Sequence, residues 1–173
     1  MTFPLRLKGR ARGAGRGLYD SAVSQARAEG LYAVMGAPDT VEGRFELLTL
    51  HVILLIERLR GEGDAAAASS QALFDAYVSD LDGALREMGV GDLTVGKRMR
   101  ALGGAFYGRA AAYRQAFERL PDREPLAALI ARTILQDVEG VDPTALADYV
   151  VRCRERSSSV ETLLADGPVW PAP

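Results

Sequence analysis

One cysteine, one histidine and one tryptophan stand in a chain of 173 residues. The single cysteine, Cys153, excludes an internal disulfide and suits a reducing compartment. The single histidine, His51, excludes a zinc site of ordinary composition, since neither a second histidine nor the distant cysteine stands at ligand spacing. No secretory signal is visible, because the basic N-terminus is not followed by an apolar h-region. No apolar run approaches the roughly 20 residues needed to cross a bilayer. Val, Ile and Thr nowhere alternate with polar residues for long, so no strand pair is expected. Also missing are a P-loop, a G-x-G-x-x-G in a strand-to-helix setting, a G-x-S-x-G and an internal repeat. These absences remove the common nucleotide-dependent and hydrolytic enzyme classes.

What remains is rich in Ala, Leu, Arg, Glu and Gly. Apolar residues make up 48% and charged residues 25%, ordinary values for a soluble globular protein, and the length suits one domain with a real core. The net charge of -2 excludes DNA binding by the chain as a whole. The charge is uneven, however. Residues 1–17 carry Arg6, Lys8, Arg10, Arg12 and Arg16 and no acid. The first 16 residues therefore read as a basic flexible arm, residues 17–163 as the helical domain and 164–173 as a C-terminal tail, of which 166–173 is not expected to be helical. Such an arm suits an anionic membrane surface, ribosomal RNA or an acidic partner.

Turn signals divide the domain into about six helices, an all-α fold with a single compact core. The first is expected over about 17–35, stopped by the Gly-Ala-Pro of 36–38. Asp39, with Glu42 three residues on, reads as the N-cap of the second, over about 41–60. Asp64 opens the third, to about 88, and Asp92 or Thr94 the fourth, over about 95–119. A fifth covers about 125–138, and Asp142-Pro143 opens a sixth.

Two helices hold the candidate chemistry. The second contains FELLTLHVILLIERLR, residues 45–60, in which Phe45, Leu48, Val52, Leu55 and Leu59 share a face and Leu47, Leu50 and Leu54 widen it. This predicts a central helix enclosed on most sides. His51 within it reads as a structural imidazole bonded to a backbone carbonyl or a carboxylate. The competing reading is a small enzyme acting on an isoprenoid or quinone, with His51 at its site. Asp75, Asp80 and Asp82 on the third helix do not support it: Asp80 is rotated away from the other two. The fourth helix is glycine-rich. Gly103, Gly104 and Gly108 should each cost about 1 kcal/mol relative to Ala in a helix interior, so close approach of another segment is expected there. Arg98, Gly104, Tyr107, Gly108, Arg109 and Arg114 are the candidate client- or partner-binding residues, a smooth surface between basic ends. No catalytic, metal or cofactor residue is identified.

Four motifs, in order, resemble one known family. Phe45, Leu50-His51 and Arg58 come first, then Glu87-Met88-Gly89-Val90. Next comes Lys97-x-Met99, followed by Phe106-Tyr107-Gly108-Arg109 and Tyr113. The last is LIARTIL, where the family's Arg-Asn pair is replaced by Arg132-Thr133. Over about residues 18–138 the chain is similar to the ubiquinol–cytochrome c chaperones, assembly factors of the cytochrome bc1 complex. The resemblance implies a non-enzymatic, all-helical chaperone without a cofactor. It implies cytochrome b or another bc1 subunit as client, and, in mitochondrial members, a small partner protein and the ribosome. The chain lacks their long N-terminal extension, which points to a bacterial cytoplasmic protein, peripheral at the inner face of the membrane.

Overall fold

A computed structural model describes residues 5–136, 138–156 and 158–173, without the side chains of residues 5–8 and 93. Among the described residues there are eight helices and no strand. They are α1 (Leu5–Ala26), α2 (Glu29–Ala33), α3 (Val41–Leu59), α4 (Asp64–Glu87), α5 (Asp92–Glu118), α6 (Glu124–Thr133), α7 (Thr144–Glu155) and α8 (Val160–Asp166). None is long and apolar enough to cross a membrane.

Helix α3 is the axis of the fold, as its composition predicts. Leu47, Leu50, Val52 and Ile53 are wholly buried, and each large side chain contributes about 1.5–3 kcal/mol by leaving water. Helices α1, α4, α5 and α7 all pack on it. Its N-terminus differs from expectation. Thr40, not Asp39, is the cap, accepting a hydrogen bond from the Gly43 N–H at 3.1 Å. Asp39 instead accepts from the Arg44 guanidinium at 2.6 Å. The turn is tight enough that a Cβ on Gly43 would lie 2.1 Å from the Pro38 carbonyl oxygen.

The extra helices come from two breaks. The expected first helix stops at Ala26 and restarts as α2 after a turn closed by the Arg27 N–H to Ser24 and Ala28 N–H to Gln25 carbonyl bonds. Past α7 the chain turns again, and the Ser159 hydroxyl, accepting from the Thr162 N–H, caps α8. The basic segment is the other difference. It is helical from Leu5, so the first helix begins twelve residues before Gly17 and residues 5–16 of the expected flexible arm are its opening half, while residues 1–4 of that arm lie outside the described residues. Packing explains this. Gly15 sits so close to α4 that a Cβ there would meet Ala72 Cβ at 2.5 Å, and the Tyr19 hydroxyl donates to Asp80 at 2.8 Å. Arg16 pairs with Asp20 at 2.9 Å. Helix α5 starts at Asp92, earlier than expected, and α6 ends at Thr133, earlier than expected.

Candidate docking groove

An open groove of about 650 Å³ runs between α1, the loop before α3, the end of α4, α5 and the end of α6. Each wall follows from helical spacing. Helix α4 presents Leu81, Leu85 and Met88, four and three residues apart, on one stripe. Helix α3 adds Phe45 and Leu48, α5 adds Leu102 and α6 adds Ile134. Met88 is 58% exposed and Val41 66%, so the stripe ends as uncovered apolar surface at the rim. Arg27 and Arg44 stand at the edge, on the α1 and α3 sides.

One ion pair lies in the groove wall. The Arg109 Nε donates to Glu46 Oε2 at 2.6 Å, and its Nη2 to Glu46 Oε1, a bidentate fork. Both side chains are largely covered, at 25% and 11% exposure. The Glu46 carboxylate raises the Arg109 guanidinium above its already high ordinary value. A second pair repeats the arrangement three turns on: Arg114 donates to Glu57 at 3.0 and 3.3 Å. The two glutamates that bracket the apolar run of α3 are thus the fastenings of α5.

The six expected binding residues do not gather in one place. Arg109 lines the groove, while Arg114 is turned to Glu57. Arg98, Gly104 and Gly108 are exposed on α5 and line none of the described cavities. Tyr107 is 64% exposed and meets Phe74 at a tilt and Phe106 edge to face, with ring centroids at 5.8 Å in both cases, beside a separate shallow depression. No other part of the described chain makes the close approach expected at Gly103, Gly104 and Gly108: a Cβ at any of them meets nothing within 4 Å. The close approaches are at Gly15, Gly30, Gly36 and Gly43 instead. The groove residues missed by sequence reading, Leu81, Leu85 and Met88, carried a signal: an apolar stripe that continues to the end of a helix where Asp80, Asp82, Arg86 and Glu87 occupy the positions around it.

His51 is wholly buried. Its Nδ1 is 2.7 Å from the Leu47 carbonyl oxygen and its Nε2 2.7 Å from the Tyr149 hydroxyl. A carbonyl only accepts, so Nδ1 carries the proton and Nε2 accepts from Tyr149. The Tyr149 hydroxyl in turn accepts from Gln25 Nε2 at 2.9 Å. Burial pushes the imidazole pKa down to about 4, against the upward pull of the Leu47 bond, so the ring is neutral at pH 7. The Trp170 ring meets it edge to face at 5.1 Å and donates its indole N–H to Ser21 Oγ at 3.0 Å. Among the described residues no three His, Cys, Asp or Glu side chains converge as metal ligands.

These features define a helical protein that keeps its one imidazole sealed in the core and offers an apolar groove to its surroundings. The chain belongs to the ubiquinol–cytochrome C chaperone family, whose model matches residues 33–170. The described structure is also similar to the crystal structure of the Cbp3 homolog from Brucella abortus. The sequences are 38% identical, the match covers 96% of this chain and 93% of that one, and the TM-score is 0.84. A comparison with curated proteins gives no match.

Proposed function

We propose that this protein is a non-enzymatic chaperone that holds newly made cytochrome b, or another bc1 subunit, and supports assembly of the cytochrome bc1 complex. The observation that carries this reading is the open apolar groove in a chain of this family. A segment destined for a membrane has apolar surface with scattered polar groups. Leu81, Leu85, Phe45 and Leu102 match the first, and the Arg109–Glu46 pair in the wall, with Arg27 and Arg44 at the rim, matches the second. Reversible holding needs such a mixed surface, since a wholly apolar one would favour the chaperone's own aggregation. The exposed Arg10 and Arg12 on α1 would keep the protein beside an anionic surface, either the cytoplasmic face of the membrane or ribosomal RNA. On this reading the protein works in the cytoplasm, peripheral at the inner face of the membrane.

The reading as an isoprenoid or quinone enzyme needs His51 to meet a substrate. The ring has no exposed surface and both its nitrogens are engaged, so that reading has lost its residue.

The test is site-specific photo-crosslinking in cells making bc1 complex. A photoreactive residue at Leu85 or Leu102 should yield an adduct with cytochrome b, and one at Glu118, exposed near the far end of α5, should not. Adducts only with unrelated abundant proteins would refute the client. Adducts with cytochrome b from Tyr107 and not from Leu85 would move the site to the outer face of α5, where Arg98, Gly104 and Gly108 lie uncovered.

A further inference from the structure

A second open cavity, of about 340 Å³, lies at the other end of α3, bordered by the end of α7, α8 and the tail. Four guanidiniums line it: Arg58 and Arg60 from the end of α3, Arg154 and Arg156 from the end of α7. Only two carboxylates, Glu57 and Glu62, stand among them. Both are already committed. Glu57 accepts from Arg60 at 2.7 Å and from Arg114 at 3.0 Å, and Glu62 accepts from Arg58 at 3.0 Å. Arg154 and Arg156 have no ion pair among the described residues. The Arg154 guanidinium lies 4.0 Å over the Phe117 ring instead. Among the described residues the buried Arg58 Nε has no hydrogen-bond partner, although its Nη2 donates to the Ser158 carbonyl at 2.8 Å. The surplus is local, because the chain as a whole carries a net charge of -2.

We propose that this cavity binds a phosphate monoester with a short apolar body. Two uncompensated guanidiniums match a phosphate dianion in charge, and their planar forks match its oxygens in geometry. The Arg58 Nε–H is a further donor, unmet among the described residues, and buried donors are normally paired. The floor explains the apolar body. Leu54, Leu55 and Leu163 lie beneath the arginines, and the Trp170 indole closes one side. Burial lowers the Arg154 pKa, opposed by the nearby Glu57 charge, which is the condition an incoming anion would relieve. The phosphate could belong to a soluble ester or to a lipid headgroup. The site shares no residue with the apolar groove, so it stands or falls apart from the chaperone reading.

The test is calorimetric titration of the full chain, at constant ionic strength, with inorganic phosphate, with hexyl phosphate, and with phosphatidylcholine vesicles with and without phosphatidic acid. Saturable one-to-one binding is expected for inorganic phosphate, and tighter binding for hexyl phosphate. Arg154→Gln and Arg156→Gln should each weaken hexyl phosphate by about tenfold, the scale of one lost charge-assisted bond. The double substitution of Arg10 and Arg12 by Gln should leave the affinity unchanged. Binding of phosphatidic acid vesicles as well assigns a lipid headgroup, whereas binding of hexyl phosphate alone assigns a soluble ester. Absence of saturable heat with any phosphate overturns the site. So does equal weakening by the Arg10 and Arg12 substitutions, which would mean general charge attraction. Should Arg154→Gln fail to fold by circular dichroism, Arg156→Gln, at an exposed position without an ion pair among the described residues, carries the test.

Discussion

His51 shows what one buried ionisable group does to a fold. In the unfolded chain an imidazole takes up a proton near pH 6.5, but in the native core it does so only near 4. As pH falls through that window the unfolded state binds the extra proton first. The stability contribution is therefore whole above pH 6.5 and declines by about 1.4 kcal/mol per pH unit down to about 4. Between neutral pH and pH 5, native protein should lose roughly 2 kcal/mol from this source. His51→Gln should lose less over the same interval. Urea midpoints of both proteins at the two pH values check this, and parallel slopes would show that the imidazole is not buried in solution. Carboxylates common to both proteins cancel in the comparison. The local half of this environment was legible in the sequence: an imidazole inside an apolar helical run must bond a nearby carbonyl, and Leu47 is one turn back. The other half was not. Tyr149 lies 98 residues away, and nothing in a single sequence pairs the two.

The same limit governs Arg109. Its spacing marked it as a surface arginine, but its partner Glu46 is 63 residues earlier. Arg109→Gln should cost about 2–3 kcal/mol, a buried-pair value reduced for partial exposure, because it leaves Glu46 covered and unpaired. Replacing both Glu46 and Arg109 by Gln should cost less than the two single changes added together. Denaturant unfolding of the four proteins measures the coupling, and strict additivity would mean that the ion pair is not formed.

At the scale of elements, the helix bodies were readable and their ends were not. Helix α3 was bounded almost correctly because Gly-Ala-Pro precedes it and Gly61 follows it. The α1–α2 break was invisible because residues 24–29 contain neither Gly nor Pro. The chain bends there because Leu31 and Met35 are drawn into the core, a tertiary cause. Glycine in α5 misled in the opposite sense, since composition alone cannot separate a glycine under another helix from one facing solvent. Two sets of substitutions separate them. Gly43→Ala should destabilise by about 3 kcal/mol, since its Cβ collides with backbone rather than with a movable side chain. Gly104→Ala and Gly108→Ala should each stabilise by about 0.5–1 kcal/mol by restricting the unfolded chain. Thermal melts decide both. A stabilised Gly104→Ala protein that captures less cytochrome b would mean that a partner packs on that outer face.

At the scale of the molecule, the tail closes the structure. Trp170 donates to Ser21 of α1, the Pro171 carbonyl accepts from Gln25 at 3.3 Å and the Ala172 carbonyl accepts from Arg152 of α7 at 3.3 Å. Sequence reading had this segment non-helical and had no means of seeing it packed. Trp170→Ala should cost roughly 2 kcal/mol, a fall in Tm of roughly 4–8 °C for a chain of this size, read by calorimetry. An unchanged Tm would mean that the tail lies off the core in solution.

The edge-to-face contact between Trp170 and His51 also equips the molecule with its own optical gauge. Each ring is the sole example of its kind in the chain. Every photon of indole emission therefore comes from the seam between the tail and the central helix, with no second fluorophore of that type to dilute it. Lifting of the tail, by a bound client, by acid or by substitution, would register as a change in the colour and lifetime of that emission, in the unlabelled protein.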